Sequence, residues 1–103
     1  MSTRANIIIS GNTMLLHLYH HCDGYPEGVG MDLKNYCELI GNNYSWDEWN
    51  IAQDLIKREP DHGYELTCGL HGDAEFTYYI DCIGRRLHMY RGNSADIDRE
   101  IKF

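Results

Sequence analysis

Strict alternation of apolar and polar residues begins near residue 64, and this pattern limits the fold more than any other feature of the chain. Three runs alternate in this way, at 64–70, 75–83 and 86–91. A period of two is typical of strands that bury one face. Polar, glycine-containing turns at 71–74 and 84–85 separate the runs, so the sequence predicts a three-stranded antiparallel meander.

The first half of the chain opens with a hairpin pattern. Residues 6–10 and 13–22 are β-type runs, and Gly11 and Asn12 lie between them. A Gly-Asn pair tolerates positive φ and suits a two-residue turn. Two antiparallel strands are therefore expected before residue 23.

Two helical patterns lie between the hairpin and the meander. Asp32 can cap the first helix, and Gly41 is placed to end it. Ser45 and Glu48 form a capping box for the second helix, which ends before Pro60. The buried stripe of this second helix is predicted at Trp49, Ala52 and Ile56.

The element order ββααβββ predicts an α+β fold in which two helices cover one face of a mostly antiparallel five-stranded sheet. The 103 residues form one domain, and residues 93–103 are expected to be a flexible or helical tail. The alternation assigns these residues to the helix-covered face: Ile7, Ile9, Met14, Leu16, Leu18, Leu66, Cys68, Leu70, Phe76, Tyr78, Ile80, Cys82, Leu87 and Met89.

The opposite sheet face is predicted to be open and rich in rings. With a two-residue turn at 84–85, Asp81 faces His88 and Tyr79 faces Tyr90 across the last two strands. A sheet face with several aromatic rings offers more surface for contacts with another molecule than a purely solvent-exposed face needs. The residues expected to form an interface there are His17, Tyr79, His88 and Tyr90.

Composition excludes several function classes. Sixteen acidic and nine basic residues give a net charge of −7, which repels nucleic acid and anionic membranes. The four cysteines lie far apart and form no Cys-x-x-Cys pair, so we expect reduced thiols and no zinc ribbon. The N-terminus does not resemble a signal peptide, and no apolar run could span a bilayer, so a cytosolic location is expected.

Histidine, cysteine and carboxylate side chains are concentrated between residues 17 and 30. Alternation along a strand separates His20 and Cys22 from His21 and Asp23, so a metal site here needs partners elsewhere. The candidate partners are Asp61, His62, His71 and Asp73. The spacing matches no metal motif, and the structural interpretation is favoured; no metal and no cofactor are predicted.

The loop at 23–30 is rich in glycine but is not a phosphate-binding loop. It contains no lysine or arginine, and Glu27 and Asp32 place negative charge where a phosphate would bind. A tight turn is the favoured interpretation. The second polar cluster, with His71, Asp73 and Glu75, could serve acid and base roles, although turns commonly have this composition.

Two runs of the sequence resemble a group of small proteins from phages and bacterial mobile elements. The first run of that group is Tyr-x-His-x-Asp-Gly-Tyr-Pro-Glu, matched here by Tyr19, His21, Asp23, Gly24, Tyr25, Pro26 and Glu27. The second is His-Gly-Asp-x-Glu-Tyr, matched by His71, Gly72, Asp73 and Glu75. Cys22 replaces a frequent tryptophan and Phe76 replaces a tyrosine. The resemblance implies an origin and two local clusters, and it implies no activity.

Two function classes follow from these patterns. The favoured class is a small acidic binding protein that contacts a protein or a second copy through the open face and the 23–30 loop. A non-enzymatic role is favoured over an enzymatic one. The alternative is a nucleotide-binding protein or a metal-assisted hydrolase. Its candidate ligand-binding residues, which would meet in a pocket at one end of the sheet, are Tyr19, His21, Asp23, Tyr25, His71, Asp73 and Glu75. A purely structural protein is the third interpretation.

Overall fold

The structure is a computed structural model that describes residues 3–41, 46–58, 63–91 and 99–103. Its strands are β1 (Ala5–Ser10), β2 (Leu15–His20), β3 (Tyr64–Thr67), β4 (Phe76–Asp81), β5 (Arg86–Arg91) and β6 (Arg99–Lys102). Its helices are α1 (Met31–Ile40) and α2 (Glu48–Arg58), and a π-type turn at Pro26–Gly30 leads directly into α1. The α+β class is therefore as predicted.

The sheet has six strands in the order β3-β2-β1-β4-β5-β6. Strands β1 and β4 pair in parallel, and the other pairs are antiparallel. The prediction of a five-stranded, mostly antiparallel sheet is thus wrong in strand number and in one central pairing. The reason is that β4 joins the free edge of β1 instead of pairing with β3.

The segment at 68–75 is consequently a crossover and not a hairpin tip. β3 and β4 run in the same direction with β2 and β1 between them, so the chain must cross about 14 Å of sheet, at roughly 4.8 Å per strand. Contacts of this crossover with Asn6 and Tyr19 place it over the face opposite the helices. The predicted meander is therefore limited to β4, β5 and the additional strand β6.

Both helices pack on one sheet face and enclose the core. α2 contacts β1, β2 and β3, and α1 contacts β5. Most of the predicted core residues are buried, but Met14, Leu66, Cys68 and Leu70 are exposed. Met14 is exposed because β2 starts only at Leu15, and Leu66 is exposed because β3 lies on the edge of the sheet. Cys68 and Leu70 are exposed because β3 ends at Thr67.

The β4–β5 register differs from the predicted one by two residues. Asp81 pairs with Arg86, and Tyr79 pairs with His88. The turn has four residues because the Asp81 carboxylate accepts hydrogen bonds from the backbone N–H groups of Ile83 and Gly84 at 3.0 and 3.1 Å. The predicted pairs Asp81–His88 and Tyr79–Tyr90 are thus wrong.

The chain end also differs from the prediction. Residues 99–102 form β6, which pairs with β5, so this part is neither a frayed end nor a helix. Ile101 on β6 packs against the hydrophobic core, which explains why a short charged segment joins the sheet. Residues 92–98 lie outside the described ranges.

Helix α2 is rotated relative to the predicted stripe. Trp49 is 46% exposed, whereas Ile51 and Leu55 are buried. Its first turn is capped by Asp47, whose carboxylate accepts from the N–H of Asn50 at 3.0 Å. Ser45, the predicted cap, lies outside the described residues. Glu48, its predicted partner in the capping box, contacts Thr13 instead.

Glu48 links α2 to the turn between β1 and β2. Its side chain is 3% exposed, and one carboxylate oxygen accepts from the Thr13 hydroxyl at 2.6 Å and from the N–H groups of Thr13 and Met14. These donors, the Thr13 hydroxyl first, hold the pKa of Glu48 below its ordinary value of 4.5.

This depressed pKa predicts an acid-dependent loss of stability. Because the folded pKa lies below the unfolded one, the stabilisation is complete above pH 4.5 and is lost as the pH falls through the folded pKa. We expect Glu48→Gln to lower the free energy of unfolding at pH 7 and to narrow its difference from the wild type at lower pH. Urea denaturation between pH 7 and pH 3 measures this, and a difference that stays constant with pH would contradict it.

Candidate functional site

The crossover at 68–75 is fastened to the sheet through Asn6. The buried Asn6 amide donates to the backbone carbonyl of His71 at 3.0 Å and accepts from the His71 N–H at 2.9 Å. A side-chain amide thus pairs with the backbone in the way a neighbouring strand does. This contact brings the second polar cluster of the sequence onto the first.

Tyr19 is the centre of the resulting cluster. The His71 ring stacks on it with centroids 4.1 Å apart, and the His21 ring meets it edge-on at 4.7 Å. Its hydroxyl lies 3.0 Å from both carboxylate oxygens of Asp73. Burial, then the hydrogen bond to Asp73, raises the pKa of Tyr19, so the phenol stays protonated and donates.

The polar groups around Tyr19 are paired within the cluster. His21 Nε2 lies 2.8 Å from Glu65, and His71 Nε2 lies 2.8 Å from the Thr67 hydroxyl. Arg4 donates to Asp73 at 2.9 Å. A ligand at this site would have to displace these partners, so the cluster stabilises the crossover against the sheet.

The remaining predicted ligand-binding residues make contacts of their own. The Tyr25 hydroxyl donates to Asp23 at 3.2 Å, and Asp23 adopts a positive φ of 53°. The backbone N–H of Glu75 donates to the carbonyl of Arg4 at 2.9 Å. Tyr19, His21, His71 and Asp73 are therefore brought together, whereas Asp23 and Tyr25 contact each other.

The metal interpretation gains no geometric support from the described residues. Among residues 3–41, 46–58, 63–91 and 99–103, no group of three or more His, Cys, Asp and Glu side chains is placed to hold one ion. Two of the candidate partners, Asp61 and His62, lie outside those ranges.

The open sheet face beyond the crossover carries the predicted interface residues. His17, Ile8, Tyr79 and His88 form one row across β2, β1, β4 and β5, and each is partly exposed. Tyr79 stacks on His88 with centroids 5.9 Å apart. Both helices pack on the other face of the sheet.

A groove of about 390 Å³ lies between the two helices and was not predicted. It is lined by Tyr36, Leu39, Ile40, Asp54, Lys57 and Arg58. The Tyr36 hydroxyl donates to Asp54 at 2.7 Å, and Arg58 donates to Asp32 at 2.6 Å, so two of its polar groups are paired.

Sequence reasoning missed the residues that hold the Tyr19 cluster together. These are Arg4, Asn6, Glu65 and Thr67. Asn6 gave a usable signal, because it is an uncharged polar residue next to a run of three isoleucines, on the face opposite the core. The other three give no signal, since polar residues on a half-exposed face are ordinary.

The fold and the cluster define an α+β domain with a crossover packed on a mixed sheet. No protein-family model matches the chain, and neither curated proteins nor solved structures give a match. No helix within the described ranges is both long and apolar enough to cross a membrane.

Proposed function

We propose that this chain is a non-enzymatic interaction domain that binds a protein partner on the part of the open sheet face that the crossover leaves free. We call this surface the docking face; its residues are His17, Tyr79, His88 and Tyr90. The observation that carries the proposal is the row of partly exposed rings on a face to which neither helix packs.

The rings of the docking face are ordered before any partner arrives. Tyr79 and His88 stack, and the His88 and Tyr90 rings meet edge-on with centroids 6.3 Å apart. The Tyr90 hydroxyl lies 3.4 Å from His88 Nδ1. Ordered rings lose little side-chain entropy on binding, and tyrosine is enriched where binding energy is concentrated.

Charge favours a basic protein as the partner. The net charge of −7 attracts basic surfaces over long range and repels nucleic acid. Burial raises the pKa of Tyr90, so its hydroxyl is neutral and able to donate to a partner. The exposed Tyr25 makes the 23–30 loop the second proposed contact. An origin in a phage or mobile element fits such a role and stays a prediction.

The small-molecule alternative is less well supported. Tyr19, His71 and Asp73 already satisfy one another or bond to Thr67 and Arg4. A nucleotide or a metal would have to break these contacts before it gained its own.

Site-specific photo-crosslinking in cells tests the proposal. A photoreactive phenylalanine analogue replaces Tyr79 or Tyr90 and, as a matched control, Trp49, which is exposed on α2 at the opposite side of the sheet. We expect a discrete protein adduct from Tyr79 and Tyr90 but not from Trp49, and competition by excess wild-type chain but not by a Tyr79→Ala/Tyr90→Ala variant.

Three results would overturn the proposal. One is the same adduct pattern from all three positions, and another is competition by the double variant as strong as by the wild type. The third is an adduct that consists only of two copies of this chain, with a lower mass by light scattering for Tyr79→Ala. That result would assign the docking face to self-association.

A further inference from the structure

The groove between the two helices is formed by one face of each helix. Its lining residues, three from each helix, are Tyr36, Leu39, Ile40, Asp54, Lys57 and Arg58. Both sets have the spacing i, i+3, i+4, which places their side chains on one face of a helix. The volume of about 390 Å³ lies within the range of small-molecule sites, which is about 300–1,000 Å³. The groove is therefore large enough for a small ligand.

The wall of the groove on α1 is apolar. Leu39 is 74% exposed, the largest fraction among the exposed large hydrophobic residues described. Ile40 and Tyr36, which are buried, continue this wall into the hydrophobic core. An apolar group that covers Leu39 removes apolar surface from water, which is favourable. The apolar part of a ligand therefore fits against α1.

The wall on α2 carries three charged side chains, and one of them is neutralised. Arg58 donates to Asp32 at 2.6 Å. Lys57 makes no ion pair with a described residue. Asp54 accepts from the Tyr36 hydroxyl at 2.7 Å through one carboxylate oxygen, and a carboxylate accepts further donors. The α2 wall thus leaves one positive and one negative group for a ligand.

A ligand with a single charge would fit this wall poorly. Lys57 and Asp54 lie three residues apart, so they are neighbours on the helix surface. An anion that Lys57 attracts is repelled by Asp54, and the reverse holds for a cation. The net charge of −7 also repels an anion over long range. A zwitterion satisfies both groups and has no net charge to be repelled.

We infer that this groove binds a free apolar α-amino acid. The carboxylate of the ligand contacts Lys57, and its ammonium group contacts Asp54. Its side chain packs against Leu39 and Ile40. The groove lies on the helix side of the sheet, opposite the docking face, so this inference goes beyond the proposed function and does not depend on it.

NMR titration with leucine tests the site. We expect saturable shifts of the backbone amide signals at 36–40 and 54–58, with a dissociation constant in the millimolar range. Three smaller probes each lack one part of leucine: glycine lacks the apolar side chain, isocaproate the ammonium group and isoamylamine the carboxylate. Each should bind more weakly than leucine, and glycine by about fivefold or more, because it covers no apolar surface on α1. The absence of saturable shifts up to about 20 mM leucine, or saturable shifts only outside the groove, would overturn the inference.

Lys57→Gln tests the charge contact. This substitution should weaken leucine binding about two- to fivefold, as for an exposed ion pair. It should strengthen isoamylamine binding, because it removes a like charge. Lys34→Gln is the matched control and should change neither, since Lys34 is a partly exposed cation of α1 that pairs with Glu38 and does not line the groove. Equal losses of leucine affinity in the two variants, or no loss in Lys57→Gln, would refute the assignment.

Leu39→Ser tests the apolar contact. It should weaken leucine binding about threefold or more and leave glycine binding unchanged. Ile83→Ser is the matched control, because Ile83 is 66% exposed in the turn between β4 and β5. Both side chains are exposed, so both variants should keep the fold, which circular dichroism verifies. Leucine affinity that is unchanged by Leu39→Ser, or reduced equally by Ile83→Ser, would contradict binding in this groove.

Discussion

Gly28→Ala should destabilise the protein by about 3 kcal/mol and lower Tm by more than about 10 °C, at the upper end of what a single added methyl costs. A Cβ on Gly28 would collide with the backbone carbonyl oxygen of Asp23 and lie 3.1 Å from its carbonyl carbon and from its Cβ. That oxygen is held in place, because it accepts from the N–H of Val29 at 2.8 Å.

The backbone around Gly28 has little freedom to move away. Asp23 is at a positive φ of 53°, and the N–H of Gly28 donates to the carbonyl of Tyr25 at 2.9 Å. The same loop leads through the π-type turn into α1, so relief of the collision displaces the start of that helix. Thermal unfolding followed by circular dichroism measures the effect.

Gly72→Ala is the matched control. A Cβ on Gly72 meets no atom within 4 Å, and Gly72 has no positive φ. We expect a change within about 0.5 kcal/mol, as for surface substitutions in general. Equal effects of the two substitutions would mean that the turn at 23–30 does not depend on the close approach at Gly28.

The sequence predicts the local elements of this fold better than their pairing. Alternation locates five strands because each buries one face, and helical spacing locates both helices. The periodicity of the sequence does not predict that β1 and β4 pair in parallel, because strands distant in sequence meet only through the core. The sequence pattern does not predict β6 either, because Ile101 is its one apolar residue and the segment resembles a polar tail.

The candidate site shows the same division. The sequence predicts that two polar clusters meet at one end of the sheet, with Tyr19, His21, Asp23, Tyr25, His71, Asp73 and Glu75 as their members. The structure brings Tyr19, His21, His71 and Asp73 together. The sequence did not predict that the meeting would bury Tyr19 and pair its hydroxyl. That outcome depends on the crossover at 68–75. Its composition is also typical of a hairpin tip, so composition alone does not distinguish the two.

Tyr78→Ala should cost about 3–5 kcal/mol, which is a large fraction of the stability of a domain of this size. The Tyr78 ring is fully buried on β4 between Ile7 and Met89, at the centre of the helix-covered layer. Its hydroxyl donates to the carbonyl of Gly24 at 2.6 Å. Removal of the ring therefore creates a cavity and also detaches the 23–30 loop from the core.

Tyr78→Phe separates these two contributions. The ring is kept, and the Gly24 carbonyl loses its donor, which we expect to cost about 1–3 kcal/mol. Tyr79→Phe is the matched control, because Tyr79 is the next residue on the same strand and faces the opposite, partly open side. Urea denaturation at pH 7 should show the order wild type and Tyr79→Phe, then Tyr78→Phe, then Tyr78→Ala.

The loss of folding stability at alkaline pH gives an independent check on the role of Tyr78. Burial raises its pKa above the ordinary value of 10.0, so the folded state keeps the phenolic proton at a pH where the unfolded state loses it. The contribution is fully present below pH 10 and is lost as the pH rises above it. Tyr78→Phe should lose less stability than the wild type between pH 10 and pH 11. Parallel curves for wild type and Tyr78→Phe would mean that the hydroxyl is not buried against Gly24, and the loop would then need another anchor.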